Sequence, residues 1–84
     1  MSENIEAILK EYCKLVKKLN KAEGFFERNK NNKAKTDQYT VNMIQLLESL
    51  SNCIEELESK GMDVQVRSDN YDLIIDGTEF VASN

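Results

Sequence analysis

The chain contains no histidine and no proline, and among its 84 residues there are only two cysteines and three glycines. Without histidine it lacks the commonest general base, the commonest metal ligand and the side chain that titrates near neutral pH. Ser/His and Cys/His nucleophilic sets are excluded for the same reason. Cys13 and Cys53 are too few and too widely spaced for a zinc motif, and inside a cell they stay reduced. No glycine-rich phosphate loop is present. No apolar run approaches the ~18 residues of a membrane span. The Met-Ser-Glu-Asn start lacks the basic and apolar segments of a signal peptide, so a cytoplasmic, intracellular location is expected.

Other site chemistry fails on spacing. A calcium loop begun at Asp72 puts Ile74 at its third position and Ser83 at its twelfth, where an oxygen ligand and a bidentate glutamate are required. Glu55 and Glu56 are adjacent, so on a helix they diverge and make a poor acid/base pair. The chain reads as a non-enzyme without metal or cofactor.

What is present is helical periodicity. Ile5, Ile8, Tyr12, Leu15, Leu19, Ala22 and Phe26 step by three and four, as do Met43, Leu47, Leu50, Ile54 and Leu57. This is the a/d pattern of helices that pack side by side. Leu9 and Val16 widen the first stripe. Helices are predicted over about 3–28 and 37–60, with a polar loop over 29–36. Ser2 or Asn4 is expected to cap the first, with Glu3 and Glu6 near its positive end. Thr36 or Asp37 should cap the second, and Gly61 should end it. Gly24 is a weak point where the first helix frays or kinks, letting Phe25 and Phe26 plug the hairpin end.

Antiparallel folding about that loop brings Phe26 level with Tyr39, Ala22 with Met43, Leu19 with Leu47, Leu15 with Leu50, and Ile8 with Leu57. Apolar meets apolar at every step. Cys13 also comes level with Cys53. Helix axes ~8–10 Å apart seldom allow the ~4.4–6.8 Å Cα separation of a disulfide, so two small buried thiols are expected.

After Gly61 the apolar period becomes two. Met62, Val64 and Val66 alternate with polar residues; Tyr71, Leu73 and Ile75 follow, then Phe80 and Ala82. Asp69-Asn70 and Asp76-Gly77 are two-residue turn signals. They pair Val66 with Leu73, Val64 with Ile75, and Leu73 with Phe80, leaving one face apolar in all three strands. The predicted class is α+β: an antiparallel two-helix hairpin followed by a small antiparallel β-meander over about 62–82, in one domain. Strands of about six residues span ~20 Å, too short to cover the widened helical stripe. A homodimeric four-helix bundle is the simplest cover, built on Ile8, Leu9, Tyr12, Leu15, Val16, Leu19, Met43, Leu47, Leu50, Ile54 and Leu57.

Charge is sorted along the chain. Residues 1–35 hold nine basic and five acidic side chains, whereas residues 36–84 hold two basic and ten acidic, giving −4 in all. The outer sheet face carries Asp63, Arg67, Asp72, Ile74, Asp76 and Glu79, an expected contact for a basic protein partner of the kind that phage- or plasmid-type inhibitors and regulators engage. The alternative is nucleic-acid binding by Lys10, Lys14, Lys17, Lys21, Arg28, Lys30, Lys33 and Lys35. Against it, no aromatic residue is interleaved with the lysines in sequence, and a lysine run is most often a solvated face.

Overall fold

The computed structural model describes residues 2–67 and 69–82, with the side chains of residues 2–4 set aside. Two long helices, α1 (Ser2–Arg28) and α2 (Lys33–Ser59), precede three short strands, β1 (Val64–Val66), β2 (Leu73–Ile75) and β3 (Thr78–Phe80). The helices fold back as a hairpin. The strands form one antiparallel sheet in the order β1-β2-β3. The cap expected from Ser2 or Asn4 lies outside the described side chains.

The loop is shorter than the sequence pattern implies. Asn32, not Thr36 or Asp37, caps α2: its backbone is extended and its Oδ1 accepts a hydrogen bond from Lys35 N at 3.2 Å. Asparagine is as good an N-cap as aspartate, and the Lys-Ala-Lys that follows consists of good helix formers. Thr36 is buried inside the helix, its hydroxyl donating to the Lys33 carbonyl at 3.0 Å. At the other end, Gly61 N–H donates to Glu58 O and Met62 N–H to Leu57 O. With Gly61 at φ +88° this is a Schellman ending. Helix α1 runs through Gly24 without a break.

The shorter loop shifts the hairpin by a residue. Phe25, rather than Phe26, stacks on Tyr39, with ring centroids 3.9 Å apart and planes inclined by 16°. Two registers of heptad spacing share Met43, Leu50 and Leu57 on α2, and the structure uses the one running through Leu46 and Cys53. Leu47, expected to face Leu19, is instead 41% exposed. Ile54 is half-buried at the margin of the core. The central core joins Ile8, Tyr12, Leu15, Val16 and Leu19 to Leu50, Cys53 and Leu57, and is closed by Leu73 and Ala82.

The sheet register agrees with the alternation: Val64 pairs with Ile75, Val66 with Leu73, and Leu73 with Phe80. Each strand has only three residues, about half the expected length. Asp69-Asn70 is not a two-residue turn. The connection is closed by Arg67 N–H on Asp72 O and Tyr71 N–H on Arg67 O, with Tyr71 at φ +62°. Asp76-Gly77 is the tight turn its sequence indicates, with φ values of +50° and +83°, the signs a type I′ turn demands. A Cβ at residue 77 would meet nothing within 4 Å, so Gly77→Ala tests backbone conformation alone. It is expected to cost about 1–2 kcal/mol, seen as a Tm lower by roughly 4–8 °C per kcal/mol.

Candidate interaction surfaces

Three surfaces could carry function. The first is the outer sheet face. Asp63, Arg67, Asp76 and Glu79 are exposed there and Ile74 is half-buried. Asp72 is not available: it is 5% exposed, and its Oδ1 accepts from Ala82 N–H at 2.9 Å. It sits just before β2, where the chain leaving β3 crosses it, so alternation alone misplaces it in solvent. The others are partly engaged. Arg67 pairs with Glu79 at 3.1 Å. Asp76 Oδ1 accepts from Asp63 N–H at 2.9 Å while Asp76 N–H donates to Asp63 O at 2.8 Å, a reciprocal clamp across the strand ends. Asp72→Ala leaves the Ala82 N–H without its acceptor. The expected cost is about 1–3 kcal/mol, read as a lower urea midpoint at unchanged slope, with Asp72→Asn recovering much of it.

The second surface lies on α2. The sheet covers the helical hairpin around Tyr12, Leu50 and Ile54, where Val66 and Tyr71 approach. Beyond the sheet's edge the same band continues uncovered through Leu47 to Ile44 and Val41, which are 51% and 56% exposed. Val66, on the free edge of the sheet, borders the same cleft as Leu47. Of the expected packing set, Ile8, Tyr12, Leu15, Val16, Leu19, Leu50 and Leu57 are buried in the monomer, and Leu9, Met43 and Ile54 are partly buried. Only Leu47 is left open.

The third surface is cationic. Lys10, Lys14, Lys17, Lys21 and Arg28 recur at spacings of three, four and seven, so they share one face of α1. From Lys10 to Arg28 that face is about 27 Å long. It joins two cavities. One, about 400 Å³, is lined by Lys10, Lys14 and Lys17 with Glu6, Leu9, Cys13 and Phe80. The other, about 630 Å³, lies between the helices and is lined by Lys18, Lys21 and Arg28 with Phe25, Tyr39 and Asn42. A Cβ at Gly24 would lie 3.4 Å from the Arg28 guanidinium. The arginine therefore folds back along the helix toward the groove, and a Cβ at Gly24 would make no more than an ordinary contact with it. Lys30 is apart from this row, on Glu27 at 3.4 Å, and Lys33 and Lys35 open α2 outside both cavities. Tyr39 and Phe80 come from distant parts of the chain, whereas Phe25 lies between Lys21 and Arg28 on α1 itself, an interleaved aromatic that the sequence reading passed over.

Cys13 and Cys53 are free thiols. They line different cavities, Cys13 beside Phe80 and Cys53 beside Ala7 and Ile8. Burial pushes the Cys53 thiol up, away from the reactive thiolate. The buried Tyr12 hydroxyl donates to the Tyr71 carbonyl at 2.6 Å, and the Tyr71 hydroxyl donates to Glu23 Oε1 at 3.2 Å. Burial, and then the Glu23 carboxylate, raise the Tyr71 pKa. Among the described residues no cluster of three metal-ligating side chains occurs, and no helix is long and apolar enough to cross a membrane. Comparison with protein-family models, with curated proteins and with solved structures finds no match.

Proposed function

We propose that the chain is a small protein–protein interaction module that pairs with a second copy of itself through α2. The observation that carries this reading is the uncovered row of Val41, Ile44 and Leu47, exposed by 56%, 51% and 41%. Three large aliphatic side chains in one row, continuous with a packed band, form the kind of patch that marks an interface. The molecule is elongated, 45 × 18 × 16 Å, so a second copy can lie along its length. Two α2 helices crossing antiparallel at Ile44 set Val41 of each copy opposite Leu47 of the other, the self-complementary arrangement a two-fold dimer needs.

The outer sheet face is the weaker candidate for a further protein partner, because Asp72 is buried and Arg67 and Glu79 satisfy one another. Sedimentation equilibrium on the full chain tests the proposal. A mass about twice the 9.7 kDa of one chain is expected. A concentration-independent mass of 9.7 kDa up to ~100 µM would sink it.

A further inference from the structure

The groove between α1 and α2 brings together features that the pairing of two copies does not use. Lys18, Lys21 and Arg28 line it from α1, and the stacked Phe25 and Tyr39 rings and the Asn42 amide stand beside them. No carboxylate lines the groove. Along α1 the cations continue through Lys17 and Lys14 to Lys10, where Phe80 forms a second aromatic spot. Among the described residues, the ion pairs are Lys30 with Glu27 and Arg67 with Glu79, so no carboxylate is paired with this row, and Glu6 stands beside it in the cavity at its Lys10 end. A volume of about 630 Å³ accommodates one planar heterocycle with its sugar phosphate.

We infer that this groove and the cation row leading from it bind single-stranded nucleic acid, with a base against the Phe25–Tyr39 pair and phosphates along Arg28, Lys21, Lys17, Lys14 and Lys10. Two physical requirements are met together. A strand needs a positively charged track for its backbone and an aromatic surface for its bases. Duplex DNA offers phosphates but keeps its bases stacked inside, so it can use the track and not the rings. The surface is separate from the Val41–Ile44–Leu47 row, because Tyr39, Asn42 and Leu46 face the groove from a different side of α2. The inference therefore goes beyond self-association and survives or fails independently of it.

The test is fluorescence anisotropy with the full chain and a 5′-fluorescein-labelled deca-thymidylate. Binding is expected at ~50 mM salt and should weaken roughly a hundredfold at ~200 mM, the slope of about −3.5 that five cation–phosphate contacts produce on a single strand. Tyr39→Ala should weaken binding roughly five- to hundredfold at unchanged slope, with Tyr39→Phe close to the parent. Lys21→Gln combined with Arg28→Gln should reduce the slope by about 1.4, while Lys30→Gln, outside the row, leaves it alone. Asn42 is exposed, and Asn42→Glu places a carboxylate in the groove without disturbing the aromatic pair. Binding should then fall roughly tenfold or more. Ile44→Asp should leave oligonucleotide binding intact. The proposal is overturned by no binding at ~50 mM salt, or by parent-like binding of Asn42→Glu or of folded Tyr39→Ala. A ten-base-pair duplex matching the single strand, or ATP displacing the oligonucleotide at equal concentration, overturns it as well.

Discussion

Replacing Tyr12 by alanine is expected to lower the free energy of unfolding by about 3–5 kcal/mol, the range for truncating a buried aromatic side chain. Set against a total stability of about 5–15 kcal/mol, that is a large fraction of what holds the domain folded. Tyr12 is fully buried and sits where α1, α2 and the sheet meet, within the cluster that includes Leu50, Leu57 and Leu73. Its hydroxyl also holds the Tyr71 carbonyl at 2.6 Å, tying down a residue of the β1–β2 connection that has a left-handed backbone. Tyr12→Phe separates the two contributions. It keeps the ring and removes the donor, for an expected cost of about 1–2 kcal/mol. Chemical denaturation monitored by circular dichroism measures both.

The same residue makes the fold sensitive to alkali. Burial first, and the nearby Asp72 second, push the Tyr12 hydroxyl from 10.0 up to about 12. The folded state therefore holds its proton more tightly than the unfolded chain does. That contribution is complete below pH 10 and is lost as pH climbs from 10 towards 12. It amounts to about 2–3 kcal/mol. Stability of the parent should fall across this window, and Tyr12→Phe, already less stable, should show a shallower fall. Equal slopes for the two proteins would count against a buried Tyr12.

The second large effect concerns assembly. Ile44→Asp should raise the dimer dissociation constant at least roughly a hundredfold, because it buries two carboxylates against each other at the two-fold axis. Ile44 is half open in the monomer, so the folded chain itself should change by no more than about 0.5 kcal/mol. In sedimentation the variant should remain at 9.7 kDa where the parent doubles. A variant that pairs as tightly as the parent would place the contact elsewhere.

Legibility in the sequence followed the strength of each local signal. The span of α1 was readable because an unbroken stripe runs from Ile5 to Phe26 and its one glycine interrupts nothing. The sheet register was readable because strict alternation and the Asp76-Gly77 turn agree. The start of α2 was misread because Asn32 belongs to a run of polar residues in which several make equivalent caps. Leu46-Leu47 and Cys53-Ile54 are adjacent apolar pairs, and either member satisfies heptad spacing. Packing on α1 chose Leu46 and Cys53, leaving Leu47 on the uncovered side. The burial of Asp72 depends on Ala82 N–H, ten residues away, which no local rule registers.

By itself the amino-acid order determined the two helices, the strand alternation, the sheet register and the segregation of charge, because each arises from residues close together in the chain. Tertiary structure decided which leucines remain in solvent, which aspartate is enclosed, and that Phe25 and Tyr39 stand beside Lys18, Lys21 and Arg28. Those outcomes depend on groups far apart in the chain meeting at one place. Such meetings are set by the hairpin's exact offset, and a shift of one residue rotates a helix by about 100° and changes the surface it presents.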